Sequence, residues 1–281
     1  MIGVIVFFII FSAYALIHNI AISISATLGG VRVEKFQVWF GPFRNLFKKK
    51  IGNTEFGLGW LPLGGYVKLA GFHIEDDGEV YPHYFEKLSS VKRLFIIFSG
   101  PLSALIVALL ALVFFSEPKG TEVFDVIIVL IIAMASYFFA LTYLPKLTTR
   151  IIDNRIKSIG LYLILVIIQL AFLYKILVEV NDIFPILEWL KGVLFEEKEV
   201  HLFHSDFGSI NFKALICAIG FYHFLFNLIP TGGTIGGNMM TIAYRSLSGT
   251  KLNQKFAEYY SMFSLVITVI IYLYAAYKVF F

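Results

Sequence analysis

The chain has 281 residues, of which 58% are hydrophobic and 15% charged, and its mean hydropathy is +0.81. A soluble domain of this length carries roughly a quarter of its residues as charged side chains, so the composition excludes an ordinary soluble fold. The net charge of +4 comes from basic segments between apolar blocks and not from a face of interleaved basic and aromatic residues, so it does not indicate nucleic-acid binding. The composition therefore predicts an integral membrane protein.

Apolar blocks long enough to cross a bilayer recur along the chain. A helix needs about 20 apolar residues to cross the hydrocarbon core. The first block lacks a preceding basic segment and is too long for a signal peptide, so we expect it to be retained. We predict an α-helical polytopic membrane protein with about six transmembrane helices and a small membrane-associated β-segment on the cytoplasmic side. The predicted spans are residues 2–24, 94–115, 122–144, 157–180, 211–229 and 257–280.

Basic residues cluster in alternate connections between these blocks, in residues 27–93, 146–157 and 245–255. The intervening connection at 181–210 is acidic. Lysine and arginine concentrate in cytoplasmic loops, so this asymmetry predicts a multi-pass protein of the plasma (bacterial inner) membrane. With six spans, both termini would be extracytoplasmic.

Residues 30–90 do not have the pattern of a helix. Residues 31–40 are rich in β-favouring side chains, and residues 55–60 alternate between apolar and other residues, which is strand periodicity. Residues 61–68 then indicate a turn followed by an extended piece. Because this apolar segment is too small to form its own core, we expect it to lie against helices or to enter the membrane.

Residues 181–210 contain an amphipathic stretch that is typical of an interfacial helix. It is followed by His201, His204 and Asp206. Two histidines three residues apart and a carboxylate are candidate metal ligands, but the sequence shows no fourth ligand. Whether His201 and His204 hold a metal is left open.

Several polar side chains fall inside the predicted spans, where each is costly and needs an explanation. The first span contains His18 and Asn19, and the fifth contains His223 and Asn227, which share one face of a helix. Hydrogen bonds between helices would explain each of them singly. Their combination with the β-segment and with the glycine-rich break after the fifth span favours a built site.

The order of these features resembles the site-2 protease family of intramembrane zinc metalloproteases. The resemblance covers residues 1–116 and 211–281, as the two halves of the core, whereas residues 117–210 contribute two extra helices and the amphipathic stretch. It depends on the polar first helix and on the following motifs: Gly30-Val-Arg-Val-Glu34, Phe40-Gly-Pro42, Leu61-Pro-Leu-Gly-Gly-Tyr-Val-Lys68, Ser99-Gly-Pro101, Asn227-x-x-Pro230 and Gly236-Gly237.

The resemblance implies where the family's catalytic residues would fall. Its His-Glu-x-x-His motif, which supplies two zinc ligands and a general base, aligns with His18, Asn19 and Ile22. The aspartate that supplies the third ligand aligns with Ile235. Because isoleucine has no lone pair and asparagine has no useful basicity, we predict no catalytic residue, no bound metal and no cofactor. The chain is thus expected to be a pseudoprotease and not an enzyme, with a metal shared by His18 and His223 left open.

The substrate-handling motifs of the family are nevertheless present. We therefore predict a non-catalytic protein that binds or scaffolds a membrane protein partner, as a subunit or regulator of a membrane complex. The first alternative is an active intramembrane zinc metalloprotease with an atypical site, and the second is a transporter component. The resemblance assigns partner or substrate binding to Gly57, Leu58, Gly59, Trp60, Leu61, Pro62, Gly64, Gly65, Tyr66, Asn227 and Pro230.

Overall fold

The computed structural model describes residues 2–41, 44–72, 84–115, 164, 212–228 and 234–248. Contacts divide the chain into two compact units. The N-terminal unit comprises Ile2–Val107 with Ile219–Phe224, and the second unit comprises Ala108–Ala218 with Leu225–Phe281. The helices are α1 (Ile2–Leu28), α2 (Ser90–Phe115), α3 (Phe212–Leu228) and α4 (Ile235–Ser248), with a 3-10 turn at Phe85–Lys87.

Two hydroxyl side chains in the apolar helix α1 donate hydrogen bonds within the helix. The Ser23 hydroxyl donates to the Asn19 carbonyl oxygen at 2.9 Å, and the Thr27 hydroxyl donates to the Ser23 carbonyl oxygen at 2.8 Å. Each bond returns to the preceding turn of the same helix. These polar side chains are therefore compatible with a helix surrounded by hydrocarbon.

Gly30 ends α1. Its φ of 80° lies in the left-handed region that glycine adopts without a Cβ penalty. Its N–H donates to the Thr27 carbonyl oxygen at 3.0 Å, and the Val31 N–H donates to the Ala26 carbonyl oxygen at 2.8 Å. This pair of bonds is a Schellman cap, which satisfies the last helical carbonyls and turns the chain into the sheet.

The sheet has four strands: β1 (Val33–Phe40), β2 (Phe47–Ile51), β3 (Thr54–Leu58) and β4 (Leu61–Leu69). Their order across the sheet is β2-β3-β1-β4. Strands β1 and β3 pair in parallel, whereas β1 with β4 and β2 with β3 pair antiparallel. Strands β2 and β4 therefore form the two edges of a mixed sheet.

Strand β1 is distorted at Trp39, whose φ of 58° is rare for a residue other than glycine. The register with β4 shifts at the same point, between Val38 and Phe40. The Gln37 side chain, only 1% exposed, donates to the Trp39 carbonyl oxygen and to Asn45 Oδ1, each at 3.1 Å. These bonds replace the pairing that the distortion removes.

The prediction of about six transmembrane helices with a small β-segment is wrong for the described residues. Among them, two helical stretches are long and apolar enough to cross a membrane, Val6–Leu28 and Ser90–Ala111. Helix α3 has 17 residues, fewer than the about 20 that a span usually takes. The β-segment is a four-stranded mixed sheet. At the block 211–229, apolar composition predicted a span because it does not fix the length of the helix that forms there.

The other predicted spans, at 122–144, 157–180 and 257–280, lie outside the described residues except for residue 164. So do His201, His204 and the predicted amphipathic stretch. The division at 1–116, 117–210 and 211–281 stays a prediction.

Candidate functional site

A contact between two histidines lies at the centre of the N-terminal unit. Nδ1 of His18, on α1, and Nε2 of His223, on α3, are 3.2 Å apart. The rings meet edge to face, with centroids 5.2 Å apart and planes at 81°. His18 is 7% exposed. The spacing suits a hydrogen bond from the N–H of one neutral ring to the lone pair of the other.

Aromatic side chains of α1 surround His223. The Tyr14 ring stacks on it with centroids 6.3 Å apart, and the Phe11 ring meets it edge-on at 5.9 Å. Phe11, Tyr14 and His18 follow one another at helical spacing, so one face of α1 presents all three. The imidazole of His223 is thereby held at a fixed position against α1.

Helix α2 closes the other side of His18 through Gly100. A methyl group at Gly100 would stand 2.6 Å from Nε2 of His18, closer than non-bonded atoms tolerate. Glycine is thus needed for α2 to approach the imidazole ring. The glycine of the Ser99-Gly-Pro101 motif therefore allows the close approach of α2 to His18.

Asn19 connects this centre with the sheet. Its side chain is 5% exposed, and a methyl group at Gly65 of β4 would stand 2.9 Å from Asn19 Nδ2. The Ser12 hydroxyl donates to the Pro62 carbonyl oxygen at 3.1 Å, so α1 meets β4 at a second point. Ile22, one helical turn after His18, is buried and offers no ligand atom.

The other positions implied by the resemblance belong to the second unit. Ile235 is the first residue of α4, directly after Thr234, whose hydroxyl caps the helix by accepting from the Gly237 N–H at 3.2 Å. Asn227 lies near the end of α3. Pro230 lies outside the described residues.

Apart from Asn227 and Pro230, the residues assigned to partner binding lie along β3, β4 and their connection, and Gly57 and Gly59 among them have packing roles. A methyl group at Gly57 would overlap the Gln37 carboxamide, and one at Gly59 would overlap the Phe40 carbonyl. Trp60 and Tyr66 are 46% and 41% exposed. The space above Gly57 and Gly59 is thus filled by β1, whereas the two aromatic side chains face outward. Binding by this set stays a prediction.

Lys35 connects the Tyr66 ring with the charged residues of the sheet. Its Nζ lies 5.2 Å from the Tyr66 ring centroid and 3.6 Å from Glu55. The hydrogen bond with Tyr66, with help from Glu55, raises the pKa of Lys35. The hydrogen bond from Lys48, 2.9 Å away, lowers the pKa of Glu55. The Lys35 ammonium group therefore stays charged throughout the physiological pH range, and it lies over the Tyr66 ring.

The zinc site usual in the resembled family can be tested against these donors. Two nitrogen ligands of one tetrahedral zinc lie about 3.3 Å apart, which follows from Zn–N bonds of about 2.05 Å. The imidazole nitrogens lie close to that distance, at 3.2 Å, but in their hydrogen bond one nitrogen carries the proton and offers no lone pair to a metal. No group of three His, Cys, Asp or Glu side chains suited to a metal occurs among the described residues. The described side chains do not complete a catalytic zinc site, which takes three protein ligands.

The family model described as Peptidase family M50 matches residues 6–271, almost the whole chain. Similar proteins bear the name "Putative zinc metalloprotease". One from Chlamydia pneumoniae is 38% identical over 105 residues, which are 34% of this chain and 17% of that protein. One from Neisseria meningitidis serogroup A is 41% identical over 99 residues, covering 34% and 21%. One from Borreliella burgdorferi is 37% identical over 130 residues, covering 42% and 29%.

The matched region spans less than a third of each of these relatives. The matches overturn the prediction that the chain is not an enzyme, because both the family model and the names of the relatives indicate a metallopeptidase. That prediction depended only on the side chains at the four positions aligned with the family's catalytic residues, His18, Asn19, Ile22 and Ile235. In the structure, His223 adds an imidazole next to His18 that the aligned motif does not contain. From the match over residues 6–271, the chain belongs to Peptidase family M50, the membrane-embedded site-2 protease family.

Proposed function

We propose that this chain is an intramembrane peptidase with an atypical centre. It would take up an extended segment of a membrane protein beside β4 and cleave it near His18 and His223. The observation that carries the proposal is the His18–His223 contact, with nitrogen atoms 3.2 Å apart inside a largely apolar unit. Such a cluster is costly in an apolar environment and is typical of a functional site.

The position of β4 supports uptake of the substrate. It is an edge strand, and an edge strand offers backbone N–H and C=O groups to an incoming extended chain. A transmembrane helix has its backbone groups bonded internally, so it must unwind before it can pair in this way. Asn19, which touches β4 at Gly65, follows directly after His18 in the chain. A segment lying along β4 would therefore be close to the polar side chains of α1.

The chemistry of the centre differs from that of the usual family site. The Asn19 carboxamide can donate and accept hydrogen bonds, which suits it to orient a substrate backbone, but it cannot take a proton from water. A neutral imidazole can offer a ring N–H or a nitrogen lone pair to a substrate peptide group. His18 and His223 would bind the substrate in this way, with Gly100 and Tyr14 holding the two rings in position.

The proposal includes placement in the plasma membrane with the sheet on the cytoplasmic side. The lysines of the sheet support this orientation, since cytoplasmic segments are rich in lysine and arginine. A membrane protein with one helical span is the expected substrate class. Its segment would contain residues that destabilise a helix.

The test uses the full chain reconstituted in lipid nanodiscs with a single-span substrate protein. We expect cleavage by the unchanged chain, and its loss in His18→Ala and in His223→Ala. Ser23→Ala is the matched control, because that hydroxyl bonds only to a carbonyl of its own helix in the described structure and its loss should leave cleavage unchanged. The metal content of each protein is measured alongside. Cleavage that survives both histidine variants, or no cleavage by the unchanged chain, would contradict the peptidase proposal.

Uptake is tested separately with a photoreactive amino acid. It is placed at Tyr66 of β4 and, as a control, at Lys50 of β2, which is exposed on the opposite edge. Crosslinking to substrate from position 66 and not from position 50 is expected. Equal crosslinking from both positions would contradict uptake along β4 while leaving the result of the cleavage assay intact.

A further inference from the structure

Strand β2 combines exposed apolar and basic side chains in an unusual way. All five of its residues, Phe47–Ile51, are exposed, and three consecutive lysines stand between the two apolar ends. Leu46 is 66% exposed, Phe47 54% and Ile51 57%. Apolar side chains this exposed on a lysine-rich edge strand need an environment other than bulk water.

Side chains alternate between the two faces of a strand, so the residues of β2 divide into two sets, one on each face of the sheet. Phe47, Lys49 and Ile51 share one face, where Lys49 lies opposite Phe56 of β3. Phe56 is 36% exposed and stacks on Phe36 of β1 with ring centroids 5.8 Å apart. This face is therefore an apolar surface with one lysine at its centre.

Ion pairs between described residues neutralise only one of the three lysines of β2. Lys48 pairs with Glu55 at 2.9 Å on the other face of the sheet. None of the ion pairs between described residues involves Lys49 or Lys50. Two lysines of this edge strand thus have no ion pair among the described residues: Lys49, on the face of Phe47 and Ile51, and Lys50, on the face of Glu55.

The connections of the sheet keep it near a membrane surface. It follows α1 directly and precedes α2, and both helices contain stretches long enough to span a bilayer. A lysine can extend its charged end to the phosphate level while its alkyl chain, with neighbouring apolar side chains, lies deeper. Anionic lipid headgroups complement the charge, and the bilayer interface accepts the apolar residues.

We propose that β2 docks onto anionic lipid headgroups, with Phe47 and Ile51 inserted into the bilayer interface. This docking holds the sheet against the membrane and does not depend on peptidase activity. An acidic soluble protein would complement the lysines but would leave the apolar side chains without a matching environment. Each lysine near an anionic membrane surface strengthens docking about five-fold.

The test places a spin label near β2 in the full chain, at Leu46→Cys in a Cys217→Ser background. The label's collision rates with oxygen, which concentrates in lipid, and with a water-soluble nickel complex report its depth. Nanodiscs of neutral phosphatidylcholine are compared with nanodiscs that also contain phosphatidylglycerol. We expect the label to lie deeper with phosphatidylglycerol, and Lys49→Gln with Lys50→Gln to weaken docking about twenty-five-fold.

The matched control is Lys87→Gln with Lys92→Gln, which removes two exposed lysines outside the sheet. It changes the net charge equally and should leave the depth of the label unchanged. A label equally accessible to water in both lipid compositions would overturn the proposal. So would an equal loss of depth in the two double variants, or burial of the label only when an acidic soluble protein is added.

Discussion

A methyl group at Gly100 would stand 2.6 Å from Nε2 of His18, so the helix that carries Gly100 fixes the side of the imidazole that faces away from His223. The ring of His18 is therefore held between two helices that are distant in sequence. Its orientation is decided by packing as much as by its contact with the second histidine.

Gly100→Ala should displace His18 or force α2 away from α1. Overpacking of this kind costs about 1–3 kcal/mol. We expect a lower thermal unfolding temperature in detergent and altered imidazole resonances of isotope-labelled His18 and His223. Ser103→Ala, one turn later on α2, is the control, because it removes a hydrogen bond to the Gly100 carbonyl oxygen without adding an atom toward His18. Unchanged histidine resonances in Gly100→Ala would show that the close approach is not maintained in the protein.

Two glycines of the sheet should differ in their tolerance of alanine. At Gly59 the added methyl group would overlap the backbone of Phe40, whereas at Gly57 it would meet the side chain of Gln37. A side chain can move more easily than a backbone, so Gly59→Ala should destabilise the sheet more than Gly57→Ala. Hydrogen exchange of β1 and β3 amides measures this. Faster exchange in Gly57→Ala than in Gly59→Ala would contradict the prediction.

The cap of α1 predicts a graded response at Gly30. With φ at 80°, alanine is penalised by about 1–2 kcal/mol in the left-handed region, whereas asparagine tolerates that region better. Gly30→Ala should therefore lower the free energy of unfolding more than Gly30→Asn does. Thermal unfolding of both variants in the same detergent gives the comparison. Equal effects would indicate that the side chain itself, and not its backbone conformation, disturbs this turn.

The ion pair between Lys48 and Glu55 predicts a pH dependence of the sheet. The hydrogen bond from Lys48 lowers the pKa of Glu55, so the pair stabilises the fold above the ordinary carboxyl pKa. This stabilisation is lost as the pH falls through the lowered pKa of the folded state. Lys48→Gln should raise the Glu55 pKa toward its ordinary value in a titration of isotope-labelled glutamate.

Lys49→Gln is the control for this titration, because Lys49 lies on the other face of β2. The Glu55 pKa should change less in this variant than in Lys48→Gln. An equal rise in both would mean that overall charge, and not the ion pair, sets the Glu55 pKa.

Much of the local structure was predictable because short-range physics decides it. Helices α1 and α2 follow from long, predominantly apolar blocks, which predicted spans at 2–24 and 94–115. Helix α1 continues to Leu28, directly before Gly29-Gly30. The alternation at Phe56 and Leu58 predicted a strand, and β3 is there. The count of about six spans was wrong for the described residues, in which two stretches are long and apolar enough to cross a membrane. The predicted span at 211–229 forms a helix of 17 residues.

The sequence by itself determined the apolar character, the two long helices, the extended segments and the family motifs that include His18. Only the tertiary structure decided that His223, 205 positions away in the sequence, contacts His18. It also decided that Gly100 packs against the same imidazole ring and that the backbone of β1 packs against Gly59. The physical reason is the range of the interactions. Helix formation and capping depend on residues within a few positions of one another, whereas the histidine contact depends on how separate elements pack.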